Sequence, residues 1–202
     1  MAIQRQTVDR AKFNPVANYV HNLRQIDFEA ALQDVYDFLF DVNNHLTGKG
    51  LARLDDMLRP ANMSGTLSDM LTGSVAKHSR SLVVNRAHNG HPDLIVGGVY
   101  PNDEVKAGDQ GVEIKTTLKR GGAVDTHGAR DQALCVFVYE VDRLTEPAID
   151  RRPIRFREIY LSEVTVADFT ARDRKTAIGT RTANIAGDAL QRFRENWIYK
   201  DE

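Results

Sequence analysis

The chain has 202 residues, 42% of them hydrophobic and 27% charged, so it is long enough to bury one sizeable core and has ordinary globular composition. A net charge of only −1 does not by itself indicate a nucleic-acid partner, and the absence of a long apolar run near the start argues against a signal peptide or a membrane span. The single cysteine, Cys135, excludes an internal disulfide and predicts a buried thiol in a reducing compartment. We therefore expect one cytoplasmic domain over residues 1–202.

Helical periodicity dominates the first part of the chain. Apolar residues recur at three- and four-residue steps after Asp27, which predicts a helix with Asp27 as its N-cap and an end near Gly48. A second, shorter helix is predicted over 51–58, closed by Pro60. Residues 1–62 therefore form a helical N-terminal region in this interpretation.

A third helix is predicted over 67–78, where four apolar residues share one face. Thr66 and Asp69 have the spacing of a capping box, with Asp in place of Glu. Near the other end of the chain, the apolar spacing over 185–197 predicts a final amphipathic helix.

The middle of the chain has β-type patterning. The predicted strands are 81–84, 94–100, 112–118, 134–141 and 156–164. The run 134–138 is apolar at every position, which predicts a strand covered on both faces by helices. The fold class is therefore predicted to be mixed α/β (α+β), with a central mixed sheet flanked by helices.

One constellation of acidic and basic residues points to chemistry. Asp93 precedes an apolar run, and Glu113 and Lys115 follow after nineteen intervening residues. Residues two apart in a strand point to the same face, so Glu113 and Lys115 project together. The turn residues from Gly97 to Gly111 predict a chain reversal, antiparallel pairing of the two strands, and an approach of Asp93 to Glu113.

Paired carboxylates of this kind suit Mg²⁺, which accepts one or two carboxylates, keeps several waters and binds substrate phosphate. A neighbouring ammonium, here Lys115, can hold the attacking water and stabilise developing negative charge. A second Glu-x-Lys, Glu104 to Lys106, is rejected as the site because its polar, glycine-containing surroundings are typical of a turn.

The Pro-Asp at 92–93 followed by Glu-x-Lys at 113–115 resembles the PD-(D/E)xK nuclease superfamily, which includes most type II restriction endonucleases, and the match centres on residues 66–141. The resemblance implies a restriction-endonuclease-like fold, a catalytic core over 63–165 and a C-terminal extension over 166–202. It further implies Mg²⁺ held by Asp93, Glu113 and the Ile114 carbonyl, with phosphodiester hydrolysis leaving 5′-phosphate and 3′-hydroxyl ends. Asp69 is a candidate for an additional acid, as in some relatives.

The family usually has a helix between the Glu-x-Lys strand and the next strand, whereas residues 119–131 are rich in glycine, so either the helix is short or a loop replaces it. The DNA-binding candidates in and around this stretch are Lys119, Arg120, His127 and Arg130. Gln132, just after them, is a weaker candidate for reaching the site.

Several functions stay open. The favoured prediction is a sequence-specific restriction endonuclease acting on double-stranded DNA as a homodimer, with no membrane association. A repair or recombination nuclease of the junction-resolvase kind and a non-cleaving DNA-binding subunit of the same fold are alternatives. A zinc-stabilised binding module using His78, His88, His91 and His127 is disfavoured, because the spacing matches no closed zinc pattern and no second cysteine is present.

Overall fold

A computed structural model describes residues 3–126, 128–171, 183–185 and 187–201 of the chain. It is a mixed α/β structure with four α-helices among the described residues: α1 (Gln25–Gly48), α2 (Leu54–Met57), α3 (Pro60–His78) and α4 (Gly187–Glu195). The predicted fold class is confirmed at this level, and the helices precede and follow the sheet in the chain order that the periodicity indicated.

The strands form two sheets. They are β1 (Leu82–Val84), β2 (Leu94–Val96), β3 (Gly111–Thr117), β4 (Asp125–Thr126), β5 (Gln132–Glu140), β6 (Arg155–Val164), β7 (Phe169–Ala171), β8 (Ala183–Ile185) and β9 (Trp197–Lys200). The main sheet is six-stranded in the order β1-β2-β3-β5-β6-β9, and a small sheet has the order β4-β8-β7. In the main sheet β3 and β5 are parallel and every other neighbouring pair is antiparallel.

The main sheet separates two apolar layers. On one face, here called the α1–α3 face, Phe28 and Leu32 of α1 and Leu71 of α3 pack with Ile114 and Cys135 of the strands. On the other, the α4 face, strand side chains pack around Phe193 of α4. The apolar run that begins β5 is therefore covered by helices on both sides, as its composition predicted, and the Cys135 thiol is fully buried.

A buried ion pair connects α2 to the segment that precedes β6. Arg53 and Asp55 pair with each other at 4% and 0% exposure. Asn43 of α1 donates to the Asp55 carboxylate at 2.9 Å, and the Arg53 guanidinium donates to the carbonyls of Arg151 and Arg152 at 2.7 and 3.1 Å. Both charged groups of the pair thus have several partners, which is what tolerable burial of two charges requires.

All four helix starts differ from the prediction, α2 beginning at Leu54 instead of 51 and α4 at Gly187 instead of 185. The helix α1 begins at Gln25, so Asp27 is not its N-cap; the Asp27 carboxylate instead accepts the backbone N–H of Arg24 at 2.9 Å from inside the first turn. The helix α3 begins at Pro60, which starts this helix rather than closing the one before it, because proline at N1 lacks only an N–H that would be unpaired there anyway. Thr66 and Asp69 consequently lie inside α3, and their capping-box interpretation is wrong.

The strand predictions succeed in the core and fail at its margins. The strand β2 ends at Val96 instead of 100, because a turn and a short 3₁₀ helix over Pro101–Asp103 follow at once. The start of β9 was predicted as the end of the last helix; the helix stops at Glu195 and the chain then pairs with β6. The short strands β4, β7 and β8 have no clear apolar alternation and were not predicted.

Among the described residues, no helix has both the length and the apolar character needed to cross a membrane.

Candidate active site

Asp93, just before β2, lies beside Glu113 in the first half of β3. Leu94 lies opposite Val112 and Ile95 opposite Gly111, in the antiparallel pairing that the sequence predicted. One step further along the same register, Asp93 lies across from Glu113, just before β2 begins and where β3 continues. The carboxylate of Asp93 accordingly accepts the backbone N–H of Ile114 at 2.9 Å, in the place a strand partner would occupy.

This close pairing depends on a glycine. A Cβ atom at Gly111 would lie 1.9 Å from the backbone carbonyl oxygen of Leu94 and 2.7 Å from the Pro92 ring. Both atoms belong to the segment that contains Asp93. The nearer one is a backbone atom, which cannot move away by a side-chain rotation. Gly111 therefore lets the two strands approach closely enough for Asp93 and Glu113 to share one site.

The three candidate catalytic side chains are in mutual contact. Val112 and Ile114 point to the α1–α3 face, so the alternation of the strand sends Glu113 and Lys115 to the α4 face. The Lys115 ammonium donates to Oε1 of Glu113 and lies 3.9 Å from Oδ2 of Asp93. The Glu113 side chain is 9% exposed and that of Asp93 is 32% exposed. One cation thus lies between a buried and a half-buried carboxylate.

The two carboxylates have opposite pKa shifts. Burial, together with the nearby Glu113 charge, raises the pKa of Asp93 to about 6 against the attraction of Lys115. Burial also disfavours the charged form of Glu113, but the His91 hydrogen bond and the Lys115 charge outweigh it and lower the pKa of Glu113 to about 2. Separated values of this kind are common where a site performs acid, base or metal chemistry.

The donor set fits Mg²⁺ better than a closed metal cage. Among the described residues, no group of three or more His, Cys, Asp and Glu side chains is arranged to hold a metal ion. Mg²⁺ requires fewer, because two carboxylates with waters and substrate phosphate complete its shell. The N–H and C=O of one strand residue point to the same neighbouring strand. Because the Ile114 N–H donates to Asp93, the Ile114 carbonyl also points to the β2 side. The Lys115 ammonium between the carboxylates marks where positive charge is favoured.

Two polar residues beside the site were not identified as site residues from the sequence. Nδ1 of His91 lies 2.8 Å from Oε2 of Glu113, while its Nε2 is buried without a partner among the described residues. The Asn85 side chain donates to the carbonyls of Pro92 and Val105 at 3.0 and 2.9 Å and accepts two backbone N–H groups, one of them that of Val105. The position of His91 directly before Pro92-Asp93 hinted at the first; no local pattern indicates the second.

The loop between β3 and β5 contains the predicted DNA contacts. Its described residues form a turn and β4, with no helix, so of the two arrangements left open from the sequence the structure has the loop. Lys119, Arg120 and Arg130 are exposed, and Arg120 also lies 3.8 and 3.9 Å from the carboxylates of Glu140 and Glu158, which would compete with phosphate for it. His127 falls outside the described residues.

Gln132 lies on the same face of the sheet as Glu113, whereas Asp69 lies away from the carboxylate pair. Gln132 is buried on the α4 face, two residues before Leu134, which lies opposite Glu113, and its Oε1 has no partner among the described residues. Asp69 is exposed on α3, and the α3 serines that reach β3 contact Thr116 on the opposite face from Glu113. Within the described part of the chain, Asp69 therefore has no contact with the carboxylate pair.

Two competing sets of residues from the sequence, the histidines of the zinc alternative and the second Glu-x-Lys, have other contacts in the structure. His78 contacts Asp34 at 2.9 Å and His91 contacts Glu113, so these two histidines have separate acidic partners. Glu104 and Lys106 lie outside the strands, as their turn-like surroundings predicted. The Lys106 ammonium instead donates to the His88 carbonyl.

Comparison of the chain with protein-family models, with curated proteins and with solved structures finds no match.

Proposed function

We propose that the protein is a Mg²⁺-dependent endodeoxyribonuclease of the PD-(D/E)xK kind. In this proposal Asp93, Glu113 and the Ile114 carbonyl hold the metal, and Lys115 positions the attacking water. The observation that carries it is the convergence of Asp93, Glu113 and Lys115 at the point where β2 begins beside the continuing β3. A surface ion pair without a functional role would be solvent-exposed and would not require two carboxylates to lie together in a partly buried position.

The topology around the site also supports the proposal. A helix, α3, leads into three antiparallel strands, and the strand after the connecting loop, β5, adds parallel to β3. A helix ahead of a mixed sheet, with Asp93 and Glu113 on adjacent strands, is what the family resemblance implies. The restriction-endonuclease-like fold is accordingly part of the proposal.

The residues have distinct roles in the proposed reaction. Mg²⁺, when bound at such a site, supplies polarisation of a phosphoryl oxygen and acidification of a water. Asp93 and Glu113 provide the anionic oxygens that hold it, and Asp93 stays oriented through its bond to the Ile114 N–H. Lys115, on the same strand face as Glu113, can hold the nucleophilic water in line and stabilise the charge that builds on the phosphate.

Within this proposal we favour a type II restriction endonuclease acting on double-stranded DNA as a homodimer. The helical front, the small β4-β8-β7 sheet and α4 surround the core strands and offer surface for base readout and for contact with a second copy. A two-fold dimer would cut both strands of a symmetric sequence.

The direct test is incubation of the purified protein with plasmid and phage DNA in Mg²⁺ and in EDTA. We expect discrete fragments with Mg²⁺ that can be religated directly, as 5′-phosphate and 3′-hydroxyl ends allow, and none with EDTA. Smears would indicate a nuclease without sequence specificity. Absence of cleavage on linear, supercoiled and branched DNA would refute the catalytic proposal.

Matched substitutions separate the site from the rest of the surface. Lys115→Ala and Glu113→Gln should lower the cleavage rate at least about 100-fold, the order of loss when a group that stabilises transition-state charge is removed. Lys49→Ala, at an exposed lysine, and Glu104→Gln, in the rejected Glu-x-Lys, are the same chemical changes outside the site and should leave the rate unchanged. If the two control substitutions lowered the cleavage rate as much as the two site substitutions, the assignment would be contradicted.

A further inference from the structure

His91 is a neighbour of the carboxylate pair that the proposed reaction does not use. Its ring is nearly buried, Nδ1 lies 2.8 Å from Oε2 of Glu113, and Nε2 meets no partner among the described residues. The contact that the His91 ring does make is with a proposed metal ligand.

The direction of that hydrogen bond follows from the acceptor. An ionised carboxylate can only accept, so Nδ1 must carry the hydrogen and donate to Oε2. This bond occupies Oε2, which also accepts the backbone N–H of Asp93 at 3.3 Å, whereas Oε1 faces the Lys115 ammonium. The two oxygens of Glu113 therefore have separate environments, one held by the ring and backbone N–H donors, the other directed at positive charge.

Resting on the proposed function, we infer that His91 is a positioning residue for Glu113. By holding Oε2, its Nδ1–H fixes the rotation of the carboxylate and leaves Oε1 as the oxygen that shares a cation with Asp93. Hydrogen-bond donors that orient a metal ligand typically contribute about 10–100-fold to metal affinity. His91 does not touch the reacting atoms in this scheme and acts through Glu113.

The main chain at this position is held independently of the ring. The His91 N–H donates to the Lys106 carbonyl at 3.2 Å, and its carbonyl accepts the Gly108 N–H at 2.8 Å. Side-chain substitutions at His91 therefore leave the course of the backbone anchored while changing the donor to Glu113.

Two amide substitutions form a matched pair. The side-chain nitrogen of Asn is as many bonds from Cβ as Nδ1 of histidine, whereas that of Gln corresponds to Nε2. His91→Asn thus keeps a donor toward Glu113, and His91→Gln places it where the native ring has no partner among the described residues. Thermal unfolding of both variants, compared with the native protein, reports whether each is folded.

The readout is Mg²⁺ binding to the DNA-free protein by calorimetry, with the Mg²⁺ dependence of cleavage measured in parallel. We expect His91→Asn to bind Mg²⁺ nearly as the native protein does, and His91→Gln to bind it about tenfold more weakly. At saturating Mg²⁺ the cleavage rate of His91→Gln should recover. Equal Mg²⁺ affinity in all three proteins, or equal weakening in both variants, would overturn the assignment of Nδ1.

The same experiment distinguishes this inference from the nuclease proposal. If the native protein binds Mg²⁺ with the expected order of the variants but cuts no DNA, the nuclease proposal fails and the role of His91 stands. If the native protein binds no Mg²⁺ without DNA and shows no Mg²⁺-dependent cleavage, both fail.

Discussion

Replacing Asp93 by Asn should make the metal-free protein more stable, the opposite of what most substitutions do. The pKa of Asp93 is raised from 3.8 to about 6, mainly by burial and by the Glu113 charge, so the folded state holds this carboxyl in its charged form at a cost. Asn is uncharged and nearly the same shape, and its side-chain oxygen can still accept the Ile114 N–H. The substitution removes the cost and keeps the contact.

The size of the effect follows from the shift. About two pKa units at about 1.4 kcal/mol each give an upper value near 3 kcal/mol, and the side chain is 32% exposed, so solvent screening reduces it to about 2 kcal/mol. Because the folded pKa is raised, the stability contributed by protonated Asp93 is complete below about pH 4 and is lost as the pH rises through about 6. The amide that replaces this carboxyl in the variant does not titrate.

The assay is thermal unfolding in EDTA at pH 4 and pH 8, comparing the Asp93→Asn variant with the native protein. At pH 8 the variant should unfold about 4–8 °C higher, since 1 kcal/mol corresponds to about 2–4 °C for a domain of this size. At pH 4 the two proteins should coincide, and adding Mg²⁺ at pH 8 should stabilise only the native protein.

Asp41→Asn is the matched control, because the Asp41 side chain is 71% exposed and its substitution should change stability by no more than about 0.5 kcal/mol. The reasoning is refuted if Asp93→Asn is no more stable than the native protein at pH 8. It is refuted equally if the variant is stabilised by the same amount at pH 4, since the gain would then not come from the charge.

Three further predictions concern the scaffold. Gly111→Ala should cost about 3 kcal/mol in urea unfolding and abolish Mg²⁺-dependent cleavage, because the new Cβ meets the Leu94 carbonyl; native-like stability would contradict the close approach. Asp55→Ala should cost about 3–5 kcal/mol, because it leaves Arg53 buried and unpaired, and adding Arg53→Met to it should restore most of the loss; no recovery in the double variant would count against the ion-pair explanation. Asn85→Ala should cost about 2–4 kcal/mol by leaving backbone groups unpaired, with a lowered cleavage rate; an unchanged unfolding curve would show that water replaces the amide.

The sequence alone could predict those features of the site that depend on one segment. The period of a strand is local, so Glu113 and Lys115 had to share a face once their segment was extended, and the turn residues before Gly111 indicated the reversal that pairs β2 with β3. Apolar composition likewise identified β5 as a central strand, because a chain buried on both faces has no position for polar side chains.

The tertiary structure decided what depends on distant segments. The helix α3 begins at Pro60, seven residues before its predicted start at 67, and the buried side chain of Met63, four residues before Leu67, continues its apolar face. The strand β9 begins at Trp197, which was predicted to be the last helical residue; its Trp, Ile and Tyr side chains favour a strand, and β6 supplies the partner for it. In both places the boundary was fixed by a contact with another part of the chain: burial of Met63 in the core and pairing of β9 with β6.

The same division applies within the candidate site. Asp93, Glu113 and Lys115 could be selected from the sequence because each side chain has a charge suited to phosphate chemistry. The contacts of His91 with Glu113 and of Asn85 with Val105 join residues about twenty positions apart. No charge pattern around the imidazole or the amide predicts these partners. The sequence therefore determined which groups are available for chemistry, and only the folded backbone decided which oxygen of Glu113 is held and which is left free, because hydrogen-bond geometry exists only once both partners are in place.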